Sequence, residues 1–81
     1  MNAEQYLKQI LSGIITHPEA VNVVKTVDEL GVLLTLSLHK EDMKHVIGRA
    51  GETAKSIRNL LRINGMQQNA RVNLKILEPQ N

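Results

Sequence analysis

The sequence predicts an α+β fold, a two-layer sandwich in the order α-β-β-α-α-β, with a three-stranded mixed sheet covered on one face by three helices. Three observations carry this. Apolar residues recur at three- and four-residue spacing in residues 3–15 and 52–63, and they alternate cleanly in residues 32–38 and 71–77. The breaks between these stretches hold the proline, glycine and Asx residues that stop helices and turn strands. Three strands with apolar inner faces need a cover, and three amphipathic helices supply it on one side.

Taken in order, Ala3, Leu7, Ile10, Leu11 and Ile14 mark an N-terminal helix over residues 3–15. "THPEA" ends it, because Pro18 cannot continue a helix and pushes His17 toward an extended conformation. Residues 21–27 carry Val21, Val23, Val24, Thr26 and Val27 and read as a strand. "DELG" turns the chain into residues 32–38, where Val32, Leu34, Leu36 and Leu38 share one face, so the two strands form a hairpin. A short helix over residues 40–46 follows, with Glu41 and Asp42 favourable in its first turn. Ala54, Ile57, Leu60 and Leu61 define a longer helix over residues 52–63, for which Asn64-Gly65 is the expected stop. In residues 71–77, Val72, Leu74 and Ile76 point inward, while Arg71, Asn73 and Lys75 point outward. Residues 78–81 are expected to fray. The helical connection between the second and third strands predicts that they lie side by side and parallel, with the first strand antiparallel to the second.

Composition bounds the function. The chain is 81 residues long and 42% hydrophobic, which indicates one small folded domain, and it has no cysteine, which excludes disulfides and thiolate zinc sites and fits a cytoplasmic setting. Neither a signal peptide nor a membrane span is expected. Charge is uneven. Residues 1–39 carry two cations against four carboxylates, and residues 40–62 carry six against three. The positive charge gathers on the segment "HVIGRAGETAKSIRNLL", which points to an anionic partner there or to a solvated helix face.

That segment, with its apolar lead-in, its G-x-x-G and the amphipathic helix after it, resembles the signature of KH domains. The element order resembles the type II, or prokaryotic, arrangement, since only 18 residues follow Ile63, enough for a loop and one strand. Together with the "HPEAV" turn, the chain most resembles the stand-alone bacterial KhpA-type KH proteins. The resemblance implies a non-catalytic RNA-binding protein, an RNA chaperone or regulator, that holds single-stranded RNA. It also implies self-association or pairing with a larger KH-domain-containing protein linked to cell elongation and division.

KH domains clamp about four nucleotides on the G-x-x-G loop. The residues at this loop meet the physical demands of such a clamp. Gly48 allows a left-handed angle that ends the first helix and lets a phosphate approach the main chain. Gly51 opens the next helix, whose amides favour an anion. Arg49 is the loop's one charge and offers a forked hydrogen-bond donor. Val46, Ile47, Ala50 and Ala54 are candidates for an aliphatic floor under splayed bases, although Ile47, like Ile57, also fits a core position. Lys44 and His45 either reach the backbone or simply suit a helix C-terminus. Lys55 and Arg58 either line the groove edge or form a soluble helix face. The RNA-binding candidates are thus Lys44, His45, Ile47, Gly48, Arg49, Ala50, Gly51, Ala54, Lys55 and Arg58.

Tyr6 is the only residue among Phe, Trp and Tyr, so base stacking on aromatic platforms is excluded as the binding mode. Other chemistries find no frame. "GETAKS" lacks the glycine at Ala54 that a P-loop needs. His17, His39 and His45 do not have metal-ligand spacing on one element, and no poised acid/base pair or activated serine is legible. The sequence therefore implies no enzyme, no cofactor, no metal, no small-molecule substrate and no membrane partner. The rival reading is a protein-interaction module in which G-x-x-G is only a helix-helix turn, with Leu60, Leu61, Ile63 and Met66 available for dimerisation or for the core.

Overall fold

The computed structural model describes residues 2–78. Its elements are α1 (Ala3–Ser12), β1 (Asn22–Asp28), β2 (Gly31–Ser37), α2 (Lys40–Ile47), α3 (Glu52–Gln67) and β3 (Val72–Leu77), with short 3-10 turns at Pro18–Ala20 and Arg49–Gly51. This is the expected α-β-β-α-α-β order. Of the tail expected to fray, Glu78 lies outside any element, and residues 79–81 fall outside the described residues.

The sheet runs β1-β2-β3, with β1 antiparallel to β2 and β2 parallel to β3. Register fixes the faces. Leu34 sits beside Leu74 and Leu36 beside Ile76, so the alternating aliphatics of the two strands form one continuous inner layer. That layer meets Leu7 and Leu11 of α1, Val46 of α2, and Ile57 and Leu61 of α3 in a single apolar core. Each such side chain taken fully out of water contributes about 1.5–3 kcal/mol. The outer face carries Thr35, Ser37, Asn73 and Lys75, as expected of a wet surface, together with exposed Val24, Leu33 and Leu77.

Two helix ends differ from expectation. α1 stops at Ser12 rather than residue 15: Gly13 caps it, and Ile14 and Ile15 both donate to the Leu11 carbonyl as the chain turns away. α3 runs four residues past the expected last helical residue, 63, to Gln67, so Asn64-Gly65 lies inside it. Gly65 is there for closeness, not for termination. A Cβ at this position would lie 2.7 Å from both the Ala70 carbonyl oxygen and Val72 Cγ2, so the bare backbone lets β3 start against the helix. The chain turns at Asn69 instead, at φ 55°.

The departure of α1 has a cause 26 residues away in sequence. Asp42, in the first turn of α2, is fully buried. Its Oδ1 accepts from the Thr16 N–H and the Thr16 hydroxyl, both at 2.8 Å, and its Oδ2 accepts from the His17 N–H at 2.8 Å. The carboxylate thus pins the segment after α1 onto the start of α2. Burial pushes its pKa up, but the Thr16 and His17 donors outweigh that, so the group lies below the ordinary 3.8.

Beside it, His17 stacks on His39 with ring centroids 3.9 Å apart. Its Nδ1 lies 3.3 Å from Glu19 and its Nε2 lies 3.5 Å from Glu41. Burial lowers the His17 pKa, but the two carboxylates more than compensate and hold it above 6.5.

The signs follow from linkage. Asp42 contributes stability above pH 3.8, and that contribution is lost as pH falls through its depressed folded value. His17 contributes below pH 6.5, and its share is lost as pH rises through its elevated folded value. Asp42→Asn keeps the shape but turns an amide donor toward the His17 N–H. Thermal melts between pH 3 and pH 8 are expected to show a midpoint lowered by roughly 5–10 °C near neutrality and a flattened acid limb.

Candidate nucleic-acid interface

α2 ends at Ile47 because Gly48 leaves helical space. Its N–H closes onto the Lys44 carbonyl at 2.9 Å while its backbone goes to φ 77°, ψ −179°. This positive-φ, extended conformation is open to glycine and is lost to residues with a side chain. Space imposes the same choice, because a Cβ here would lie 2.7 Å from Thr53 Cβ and 2.9 Å from Thr53 N.

The loop then tightens. The Gly51 N–H donates to the Gly48 carbonyl at 3.3 Å. Ala50 stands in the left-handed region at φ 54°, ψ 27°, as does Gly51 at φ 77°, ψ 10°. For Ala50 this geometry costs about 1 kcal/mol. Gly51 differs from Gly48 in its surroundings, since nothing lies within 4 Å of where its Cβ would be. The first glycine is bare because Thr53 packs on it, and the second leaves an open approach to the main chain. No side chain caps the N-terminus of α3, whose first amide, the Glu52 N–H, donates to the Arg49 carbonyl.

Around this turn the candidates separate by depth. Arg49 and Ala50 are exposed at the tip, Gly48, Gly51 and Ile47 are half-buried, and Lys44, His45, Lys55 and Arg58 are exposed. Ala54 is only 3% exposed, and Val46 is fully buried, so both methyl-bearing groups pack beneath the loop and neither presents a surface for a base. Of the aliphatic floor, Ile47 and Ala50 remain at the surface. Among the described residues, Lys44, Arg49, Lys55 and Arg58 have no carboxylate within 4.0 Å. Arg58 turns toward the sheet edge, its Nε donating to the Leu74 carbonyl at 3.4 Å.

The fold also assembles a cluster that spacing does not reveal. His17, His39 and Glu41 bring their ligand atoms within 4.8 Å of one another. His17 faces two carboxylates, and His39 Nδ1 accepts the Glu41 N–H at 3.1 Å, capping α2. No helix among the described residues is long and apolar enough to cross a membrane.

The chain is similar to known proteins over nearly its whole length. The profile of the family described as KhpA/KhpB, KH domain, matches residues 4–76. The RNA-binding protein KhpA of Bacillus subtilis (strain 168) is 32% identical over 75 residues, 93% of each chain. The protein of the same name in Listeria monocytogenes (strain EGD-e) is 33% identical over 75 residues, 93% of this chain and 99% of its own. That of Leifsonia xyli is 40% identical over 55 residues, 68% of this chain and 72% of its own.

The two glycines are expected to differ under substitution. Gly48→Ala meets both the φ penalty and Thr53, and is expected to cost about 2–3 kcal/mol in urea unfolding. Gly51→Ala meets the φ penalty alone, at about 1 kcal/mol.

Proposed function

This chain belongs to the KhpA/KhpB KH-domain family, and on that premise we propose that it is a non-catalytic RNA-binding protein holding a short single-stranded segment across Gly48–Gly51. The observation that carries the reading is the loop itself. Its main chain is bare and approachable at Gly51, the start of α3 has no side-chain cap, and Arg49 stands beside it without a carboxylate partner among the described residues. An RNA phosphate suits this surface: it brings negative charge to a helix N-terminus and a counter-charge to a guanidinium. Ile47 and Ala50 offer apolar contact to a base, and Lys44, His45 and Lys55 flank the path of the backbone. The relatives' common name, RNA-binding protein KhpA, supports the same class of ligand. A role as an RNA chaperone or regulator in the cytoplasm belongs to this reading.

A second reading has its own observation. Leu60 and Ile63 are 40% and 51% exposed on the face of α3 away from the core. Such a stripe suits association with a second copy or with another KH-domain-containing protein, and association and RNA binding are compatible.

The test is a titration of fluorescent single-stranded RNA, with sizing in parallel. Binding is expected to weaken with salt at a log–log slope of about −1.5 to −2, the value for two or three neutralised phosphates. Arg49→Asp combined with Ala50→Asp is expected to abolish binding while leaving the fold intact, because both positions are exposed and Asp tolerates the left-handed region. RNA binding by this variant at wild-type strength would refute the clamp. A wild-type chain that associates but does not bind RNA at tens of micromolar would establish the second reading alone.

A further inference from the structure

The start of α2 lies at the other end of that helix from the loop, and here the fold gathers groups from two segments distant in sequence. His17 arrives on the segment after α1, held by the bond from its N–H to Asp42, and Glu19 follows it in the 3-10 turn. His39 caps α2, and Glu41 lies in its first turn. The ligand atoms of His17, His39 and Glu41 all lie within 4.8 Å of one another. Both histidines are half-buried and Glu41 is exposed, which leaves an approach from solvent.

The spacing suits one metal ion. Around a tetrahedral zinc ion, with ligand bonds of about 2.1 Å, neighbouring ligand atoms stand about 3.4 Å apart. His17 Nε2 lies 3.5 Å from Glu41 Oε2, so these two atoms already flank such a position. The other nitrogen of His17 is engaged as a ligand histidine requires. Its Nδ1 lies 3.3 Å from Glu19 Oε1, so the carboxylate takes the Nδ1 proton and leaves the Nε2 lone pair facing Glu41. His39 lies flat on His17, with ring centroids 3.9 Å apart, and its Nδ1 carries a lone pair, because it accepts the Glu41 N–H at 3.1 Å. A turn of this ring out of the stack exchanges that amide for the ion, and the amide of exposed Glu41 passes to water. Two imidazoles and a carboxylate favour zinc over magnesium or calcium, which take oxygen ligands.

We propose that His17, His39 and Glu41 bind a single Zn²⁺ ion, with Glu19 as the outer carboxylate that orients His17 and with water in the fourth position. The site is independent of the loop reading. Its ion joins the segment after α1 to the start of α2, the same junction that buried Asp42 ties, so zinc stabilises the fold by binding it.

The test uses the full chain, stripped of metal with a chelator, near pH 8, where protons compete least for imidazole nitrogen. Zinc chloride at about 100 µM is expected to raise the thermal midpoint by about 5 °C, and magnesium chloride at the same concentration to leave it unchanged. In NMR spectra of the histidine side chains, zinc is expected to shift the ring signals of His17 and His39, saturating at one ion per chain, with His45 unmoved. His39→Asn removes an imidazole but leaves a side chain able to cap α2, so it is expected to fold normally and to bind zinc about ten-fold more weakly or worse. Glu41→Gln, at an exposed position, serves as a second variant with the same expected loss. Wild-type chain whose His17 and His39 signals do not respond to zinc would overturn the site. A zinc response kept in full by both variants would overturn it too, as would an equal rise in midpoint with magnesium.

Discussion

The buried carboxylate of Asp42 is the constraint on which the rest of the architecture turns. A full negative charge out of water is tolerated only where donors replace the solvent, and here three donors from Thr16 and His17 do so at 2.8 Å each. The consequence is geometric. The chain leaving α1 is tied to the first turn of α2, which sets where α2 starts on the core. Val46, one helical turn on, is fully buried, and the direction in which Gly48 leaves the helix follows from that seat. A group distant from the loop thereby fixes the loop's position.

At the loop, the glycines divide the labour. Gly48 satisfies packing and Gly51 supplies access, while Ala50 accepts a left-handed conformation at a cost that the surrounding turn sustains. The polar consequence is a helix N-terminus without a side-chain cap, next to one exposed cation. Grip on a phosphodiester would come mainly from backbone dipoles and from Lys55 and Arg58 of α3. Without Phe or Trp, and with its one tyrosine on α1, the fold places none of these rings at the loop, so on the proposed function electrostatics would carry most of the affinity and salt would be its natural control.

Much of this was legible in the sequence, because periodicity reports which residues face a core. Leu34, Leu36, Ile57, Leu61, Val72 and Leu74 were placed inward and are buried, and the glycine pair marked the corner between two helices. What escaped was long-range. Gly65 follows an asparagine and reads locally as a stop, yet it is helical because the return of β3 needs its missing side chain. Asp42 reads as an ordinary first-turn acid, since nothing in "KEDM" announces that Thr16 and His17 will meet it. Ala54 was a candidate for the surface, but its spacing from Ile57 and Leu61 equally describes the buried face, and it lies there. The meeting of His17 with His39 and Glu41 depends on that same Asp42 tie, which local pattern does not encode.

On the proposed function, the turn at Gly48–Gly51 is the contact surface for RNA, with the start of α3 behind it. The most direct measurement is a titration of isotope-labelled protein with a short single-stranded RNA, followed amide by amide in NMR spectra. The largest shifts are expected on residues 48–53, with smaller ones at Lys55 and Arg58 of α3 and none on the outer face of the sheet. Shifts centred on the outer face, at Val24, Leu33 and Lys75, with residues 48–53 unmoved, would contradict it.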